Sequence, residues 1–369
     1  MRKPILAVTM GDPAGIGAEI TVKTLSDPRI FSLCQPVVIG DAAVMRAAAG
    51  LVHHPEIAIH AIRRVGDAAF THGVIDVLET GKVDMEQFRY GAVSAMAGNA
   101  AFAYVKQAIE LALAGDVDAT VTNALNKEAL NLAGHHYSGH TEIYAEFTHT
   151  KKYTMMLAHG DLRVVHVSTH VSLRRAIELV KKDRVLEVIR IADAALKHLG
   201  IASPKIGVAG LNPHCGEGGL FGDEDAREIL PAVTAAQAEG ILAEGPIPAD
   251  TVFSKARGGW YDIVVAMYHD QGHIPLKLLG FVYDPLKRQW EAVDGVNITL
   301  GLPIIRTSVD HGTAFDLAGK GVANESSLKM AMEYAVRFAV QRMQENARLA
   351  PAGDWLPRLG FAQAAGGAG

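Results

Sequence analysis

Three histidines each follow an apolar, β-branched stretch of the chain. They are His170 after residues 163–169, His214 after residues 206–213, and His269 after residues 262–268. If these stretches are parallel strands of one sheet, their carboxyl ends open onto a shared crevice, where three neutral imidazoles would bind a divalent metal. One histidine alone is more often structural, but three after three strands favour a site. The pattern therefore predicts a catalytic metal centre on these histidines.

Two neighbours of these histidines leave alternatives open. Asp270 could be a fourth ligand, a carboxylate that orients a metal-bound histidine, or a general base. Cys215 raises the alternative of a Cys–His nucleophilic pair with His214, which is disfavoured because adjacent residues seldom point at one another. His166 lies inside its apolar run, so we expect it in the interior.

A second set of side chains suits an anionic substrate. His140 and Thr141 precede a helical run, where a helix N-terminus adds to their donor groups, although Thr141 could simply be an N-cap. Lys277, Asn297 and Arg306 bracket residues 281–295 and supply a point charge, an amide and a guanidinium. Lysine and arginine bind phosphate well, and surface solvation is the alternative.

Residues 11–17 (Gly-Asp-Pro-Ala-Gly-Ile-Gly) form a glycine-rich turn between a predicted strand and a predicted helix. Such a turn presents backbone N–H groups to an anion, or it only permits a tight βα connection. It matches neither the dinucleotide fingerprint nor the P-loop, so it does not by itself predict a nucleotide site.

Short Val- and Ile-rich runs alternate with longer amphipathic stretches, which predicts a mainly parallel α/β sheet with helices on both faces. The predicted strands are residues 5–10, 36–40, 119–123, 154–159, 163–169, 205–209, 262–267 and 303–307. The predicted helices are Arg184 to Leu199 with Asp183 as N-cap, residues 92–114 and residues 325–348. Residues 281–295 suggest two short strands around an Asp-Pro turn, and residues 351–369 suggest a flexible tail.

The composition narrows the class of protein. The chain has 369 residues, 49% hydrophobic content and a net charge of −5, which favours about two domains and argues against nucleic acid or membrane partners. Two cysteines, and no run of 18 apolar residues, favour a reduced cytoplasmic setting.

The sequence resembles the 4-hydroxythreonine-4-phosphate dehydrogenase family of vitamin B6 biosynthesis. The motifs that carry the resemblance cover most of the chain: residues 11–17, 139–142, 169–170, 211–214, 268–272, 296–303 and 306–314. The run 268–277 looks like the family's paralogues that act on 4-phospho-D-threonate or 4-phospho-D-erythronate.

The resemblance implies an isocitrate/isopropylmalate dehydrogenase-like fold: a family domain over residues 1–350, with subdomains of about 1–130 plus 300–350 and 131–299 around a central cleft. It implies oxidation of a secondary alcohol with NAD or NADP, followed by loss of CO₂. The implied metal ligands are His170, His214 and His269, with Zn²⁺ first and Co²⁺ or Mg²⁺ as alternatives. The implied substrate contacts are His140, Thr141, Lys277, Asn297 and Arg306.

In the wider group of isocitrate and isopropylmalate dehydrogenases that the resemblance implies, a loop like residues 311–324 lies against the cofactor. We therefore expect cofactor contacts from Gly312, Asp316, Gly319, Gly321 and Asn324. The family is a homodimer whose metal site is completed by both subunits. The alternatives are a dihydrodiol dicarboxylate dehydrogenase of the same family, a metal-dependent hydrolase or lyase, and a non-catalytic sugar-acid-phosphate binding protein.

Overall fold

The computed structural model describes residues 2–286 and 289–349. The strands are β1 Ile5–Thr9, β2 Gln35–Gly40, β3 Ala58–Ile62, β4 Val74–Glu79, β5 Ala119–Thr122, β6 Thr154–His159, β7 Leu162–His166, β8 Lys205–Ala209, β9 Leu242–Ile247, β10 Ile263–Ala266, β11 Phe281–Asp284, β12 Gln289–Val293, β13 Val296–Leu300 and β14 Arg306–Val309. The predicted tail lies outside the described residues.

The helices cover the sheet. They are α1 Gly17–Leu25, α2 Pro28–Leu33, α3 Ala42–Leu51, α4 Ala95–Ala114, α5 Lys127–Leu132, α6 His140–Phe147, α7 Leu173–Leu179, α8 Lys182–Lys197, α9 Leu230–Ala238, α10 Ala249–Arg257, α11 His269–Gly280 and α12 Ser326–Leu349. Within the described residues no helix is long and apolar enough to cross a membrane.

Twelve strands of the described chain form one sheet, in the order β3-β4-β2-β1-β5-β14-β13-β6-β7-β10-β8-β9. Three neighbouring pairs, β14–β13, β13–β6 and β6–β7, are antiparallel. The other pairs are parallel. Because the direction reverses three times, the parallel block from β3 to β14 and the parallel block from β7 to β9 run in opposite directions. The mainly parallel α/β class is confirmed.

Helices pack on both faces of the sheet. Along β7, Val164 lies in one apolar cluster with Leu276 of α11, whereas Val165 lies in another with Val188 of α8. Successive strand residues point to opposite faces, so α8 and α11 cover opposite sides of the same strands. The mainly apolar, fully buried strands follow from this double cover.

Local sequence signals explain several helix ends. The hydroxyl of Ser94 accepts from the Ala97 N–H at the start of α4, and Gly115 closes that helix with a left-handed φ of 80°. The N-cap assigned to Asp183 is wrong, because α8 begins at Lys182 and has no side-chain cap of its own. The Lys182 N–H instead donates to the Glu228 carboxylate at 3.0 Å, a tertiary contact that local sequence does not reveal.

The strand predictions are confirmed in position for seven of the eight stretches, with ends that differ by a few residues. The eighth, residues 303–307, is largely displaced, because β14 begins only at Arg306. Strands β3, β4, β9 and β13 were not predicted. The hairpin of β11 and β12 around Pro285 is confirmed. The division into two subdomains stays a prediction.

Gly98 in α4 offers a test of this packing. A Cβ there would overlap the backbone carbonyl of Ala129 in α5. Gly98→Ala should therefore lower the free energy of unfolding by more than about 1 kcal/mol, although alanine is intrinsically the better helix former.

The matched control is Gly50→Ala in α3, where a Cβ meets nothing within 4 Å. This change should raise the free energy of unfolding by up to about 1 kcal/mol. Urea unfolding of both variants measures the difference. A stabilised Gly98→Ala protein would contradict the packing of α4 on α5.

Candidate active site

A cavity of about 960 Å³ lies on one face of the sheet, over strands β13 and β14. The hydroxyl of Thr307 donates to a carbonyl of α12 on the far side of the sheet, at 2.8 Å. Its neighbours Arg306 and Ser308 therefore face the cavity, and both line it. The volume is at the upper end for small-molecule sites, which is enough for a substrate and part of a cofactor.

Six buried polar atoms around the cavity have no hydrogen-bond partner within the described residues. They are His140 Nε2, His166 Nε2, Asn297 Oδ1, Arg306 Nε, Asp310 Oδ2 and His311 Nε2. Buried polar groups are nearly always paired, and an unpaired one costs free energy. Six such atoms around one cavity indicate a site that is suited to bind a polar ligand.

Arg306 is the most buried cation of this cavity, with 3% exposure. Its guanidinium donates to the hydroxyls of Thr299 and Thr122, at 2.9 and 2.8 Å, and lies over the Tyr144 ring. Burial lowers the pKa of Arg306 to about 10 although Tyr144 and Glu142 oppose the shift, so it is charged at neutral pH, and no carboxylate of the described residues forms a salt bridge with it. An anionic ligand would supply the missing charge.

The other predicted substrate contacts surround the same space. His140, Thr141, Lys277 and Asn297 all line the cavity with Arg306. Burial, assisted by the nearby Arg306 charge, holds the pKa of His140 well below its usual range, so the imidazole is neutral. The structure thus brings together all five residues, although they come from four elements: α6, α11, β13 and β14.

His170 and His269 face each other across the cavity wall. Strands β7 and β10, which precede them, are parallel neighbours, and the two ring centroids are 5.7 Å apart. Burial lowers the pKa of His170, and the Lys127 charge adds to this effect. Two imidazoles at this separation are suited to share one ligand.

Asp270 orients His269 rather than facing the cavity. The His269 Nδ1–H donates to the Asp270 carboxylate at 2.6 Å, which leaves Nε2 free to ligate. Asp270 is exposed and does not line the cavity. Of the three roles considered, this geometry supports the orienting carboxylate.

His214 lies apart from the other two predicted ligands. Residues 214–218 all adopt left-handed backbone angles, with φ between 43° and 82°, and this loop turns His214 outward. Its ring is 66% exposed and bonds Glu217 at 2.7 Å. In the described part of the chain no group of three His, Cys, Asp or Glu side chains is arranged to hold a metal. One chain alone therefore does not form the three-histidine centre, and completion by a second subunit stays a prediction.

The Cys215 alternative finds no support. Burial, with help from Asp225 and Asp250, raises the pKa of the Cys215 thiol to about 11, so it is protonated at neutral pH. His214 Nδ1 bonds the Glu217 carboxylate rather than the thiol. A thiolate nucleophile needs the opposite arrangement.

The predicted cofactor residues divide into two groups. Gly312, Asp316 and Asn324 line the cavity. Gly319 and Gly321 do not, and their N–H groups instead donate to the buried Glu19 carboxylate at 2.6 and 2.7 Å. Their predicted direct contact with the cofactor is not supported by this position.

The glycine-rich turn of residues 11–17 packs against the same loop. The Ile16 N–H donates to the Thr313 carbonyl at 3.1 Å, and a Cβ on Gly15 would lie 2.9 Å from that oxygen. Gly11 has a φ of 77° and abuts Ala124. The turn therefore serves close backbone packing, and the anion-cradle interpretation is not supported.

Asp310 and His311 were not among the predicted site residues. Both line the cavity with an unpaired polar atom, and burial raises the pKa of Asp310 although Lys277 and His269 oppose the shift. They directly follow β14, the position at which ligand-binding side chains concentrate in α/β sheets. The prediction ended that strand at residue 307, two residues too early, and so hid this signal.

The sheet and its polar cavity define an α/β enzyme for a small anionic molecule. Residues 32–335 match the family of the pyridoxal phosphate biosynthetic protein PdxA. D-threonate 4-phosphate dehydrogenase of Salmonella typhimurium is 50% identical over 339 residues, 92% of this chain and 100% of that protein. The chain therefore belongs to the PdxA family.

Two solved structures support this family assignment. The 4-hydroxythreonine-4-phosphate dehydrogenase of Klebsiella pneumoniae is 46% identical, with a TM-score of 0.81 over 91% of this chain and 98% of that one. A terephthalate 1,2-cis-dihydrodiol dehydrogenase of Burkholderia xenovorans is 32% identical, with a TM-score of 0.63 over 91% and 98%. The predicted family and the predicted class, an oxidoreductase acting on CH–OH groups, are confirmed.

Arg306 provides the test of the anion site. Arg306→Met should raise the free energy of unfolding by about 1–3 kcal/mol, because it removes a buried cation that has no carboxylate partner. The same change should abolish the stabilisation that inorganic phosphate gives the wild-type protein. Urea unfolding with and without phosphate measures both effects.

Arg163→Met is the control, because Arg163 is equally buried but is paired with Asp161 and lies outside the cavity. It should destabilise the protein and leave the phosphate effect intact. Equal stabilisation of Arg306→Met and wild type by phosphate would contradict the assignment.

Proposed function

We propose that the protein catalyses the NAD-dependent, divalent-metal-dependent oxidation and decarboxylation of a phosphorylated four-carbon hydroxy acid, with D-threonate 4-phosphate as the favoured substrate. The buried Arg306 guanidinium, which forms no salt bridge with a carboxylate of the described residues, is the observation that carries this proposal. Several relatives at 47–50% identity are named for D-threonate 4-phosphate. A cytoplasmic location is part of the same proposal.

The phosphate would bind at the Arg306 end of the cavity. The guanidinium has an unpaired Nε, His140 has an unpaired Nε2, and Thr141 adds a hydroxyl at the start of α6. Lys277 and Asn297 line the same space from α11 and β13. Charge-assisted hydrogen bonds of this kind are the strong ones, so they would fix the register of the substrate.

The reacting carbons would then lie beside His170 and His269. Asp270 holds the His269 ring with Nε2 free, and the unpaired Asp310 oxygen faces the same cavity as a hydrogen-bond acceptor for a substrate hydroxyl. When bound, the metal supplies a Lewis acid for that hydroxyl and NAD supplies the hydride acceptor. Oxidation at C3 gives a β-keto acid, whose loss of CO₂ leaves a three-carbon phosphorylated ketone.

The cofactor would lie along residues 311–324. The residues that this loop contributes to the cavity wall include one carboxylate, Asp316, and no lysine or arginine. An acidic side chain suits the ribose 2′-hydroxyl of NAD, whereas the 2′-phosphate of NADP needs a cation. The wall therefore favours NAD over NADP.

We also propose a homodimer that shares each metal site between its subunits. A catalytic zinc ion usually has three protein ligands, and of the three predicted histidines one chain directs only His170 and His269 into the cavity. Exposed apolar side chains accompany all three histidine segments, which is typical of a protein interface: Leu173, Leu220, Phe221, Ile274 and Leu278. A second subunit would bring its own exposed histidine to the site.

Mixing inactive variants tests this arrangement. His170→Ala and His214→Ala should each be inactive, but random re-association of equal amounts should restore about a quarter of wild-type activity, because half the dimers are mixed and each then has one intact site. The measurement is turnover and zinc content after unfolding and joint refolding.

Joint refolding of His170→Ala with His269→Ala is the matched control. These two ligands come from one chain, so no mixed dimer has an intact site and no activity should return. Recovery of activity in this pair, or no recovery when His170→Ala is mixed with His214→Ala, would contradict a metal site shared between subunits.

The substrate is tested by direct assay. With zinc and NAD, the reduced-nicotinamide absorbance should rise fastest with D-threonate 4-phosphate, and more slowly with D-erythronate 4-phosphate or 4-hydroxythreonine 4-phosphate. NADP in place of NAD should lower kcat/KM about tenfold or more. A cis-dihydrodiol dicarboxylate is assayed as the alternative substrate, since a terephthalate dihydrodiol dehydrogenase shares the fold. Faster turnover of that compound would contradict the proposal of a phosphorylated substrate.

A further inference from the structure

The carboxylate of Glu19 in α1 is buried and bonded to the far end of the chain. It accepts the N–H groups of Gly319 and Gly321 at 2.6 and 2.7 Å. One turn later, the Lys23 ammonium donates to the Ala323 carbonyl at 2.7 Å. Helix α1 therefore holds both donor and acceptor groups of one backbone segment, residues 319–323, here called the clamped segment.

Two glycines give the clamped segment its shape. Gly319 and Gly321 have φ angles of 81° and 69°, which turn both N–H groups toward Glu19. Backbone N–H groups that converge in this way form a concave site, called a nest, that binds an anion. A Cβ at Gly321 would lie 2.5 Å from the Leu51 carbonyl oxygen, so no larger residue fits. In this chain the anion in the nest is an internal carboxylate.

The clamped segment also forms part of the cavity wall. Val322, Ala323 and Asn324 line the cavity directly beside the anchored atoms. Val322 is 65% exposed, so its side chain is not held by the core. The position of this wall is therefore determined by the hydrogen bonds from α1.

We propose that Glu19 is a positioning residue that sets the affinity for the dinucleotide by holding the clamped segment in place before the cofactor binds. The inference rests on the proposed NAD-dependent function. A buried carboxylate without partners is costly, so Glu19 and the clamped segment stabilise each other. Ordering the wall in advance removes an entropy cost from cofactor binding, whereas the phosphate end at Arg306 is independent of it.

Glu19→Gln tests the role, because the amide keeps one acceptor oxygen but presents its NH₂ group to the second N–H. The dissociation constant of NADH, from its fluorescence, should rise about tenfold, while the KM for the phosphorylated acid changes less than about twofold. Hydrogen exchange should accelerate at the amides of residues 319 and 321. Lys23→Met removes only the carbonyl anchor, so it should weaken NADH binding about two- to threefold without leaving a buried charge.

Asp41→Asn is the matched control. Asp41 is another buried carboxylate that accepts N–H groups, from Ala43, Val44 and Val83, but it does not touch the clamped segment. This variant should lower stability and leave NADH affinity as in wild type.

Three results would each overturn the inference alone. They are NADH affinity unchanged in both Glu19→Gln and Lys23→Met, an equal loss of affinity in Asp41→Asn, and unaccelerated exchange at residues 319 and 321 in Glu19→Gln. Absence of NADH binding by the wild-type protein would overturn the proposed function together with this inference. The two failures are thereby distinguishable.

Discussion

A buried guanidinium that forms no salt bridge within the described residues is the constraint on which the site depends. Arg306 on β14 is bonded to hydroxyls from β5 and β13, so three neighbouring strands fix its position. Replacing buried charged groups by well-packed apolar side chains is often neutral or stabilising. A charge kept at this cost is best understood as one half of an ion pair whose other half is the substrate. The unpaired groups of His140 and Asn297 beside it fit the same ligand.

The direction of the strands explains why one cavity can serve two ligands. The block from β3 to β14 places residues 310–324 after the carboxyl end of β14. The block from β7 to β9 runs in the opposite direction and places His170 and His269 after the carboxyl ends of its own strands β7 and β10. Strands β13 and β14 lie between them and supply Asn297 and Arg306. A phosphorylated acid on this central face can therefore reach both the histidines and the loop that would hold the dinucleotide.

The sequence predicted the parts of the site that depend on strand order. His170 and His269 follow parallel neighbours, as their apolar runs indicated, and all five substrate contacts of the family motifs line the cavity. His214 follows the adjacent strand but leaves the site, because consecutive left-handed residues turn its loop outward. Backbone conformations of this kind at His214 and Glu217 are rare for non-glycine residues and have no simple sequence signature.

Glycines were the hardest residues to interpret from the sequence. The turn at residues 11–17 was considered as an anion-binding loop, and Gly319 and Gly321 were predicted to contact the cofactor. The structure uses the turn for backbone packing and the two glycines for an internal carboxylate. A glycine reports that space or a positive φ is required, but not which group occupies the space. Asp310 and His311 were missed for a different reason, since β14 ends two residues later than predicted and they directly follow its end.

The most direct test of the central claim is a crystal structure of the protein with D-threonate 4-phosphate and zinc. The account predicts the phosphate within hydrogen-bonding distance of Arg306 and His140, with the C2 and C3 oxygens beside His170 and His269. A phosphate bound away from Arg306, with the guanidinium still unpaired, would contradict it.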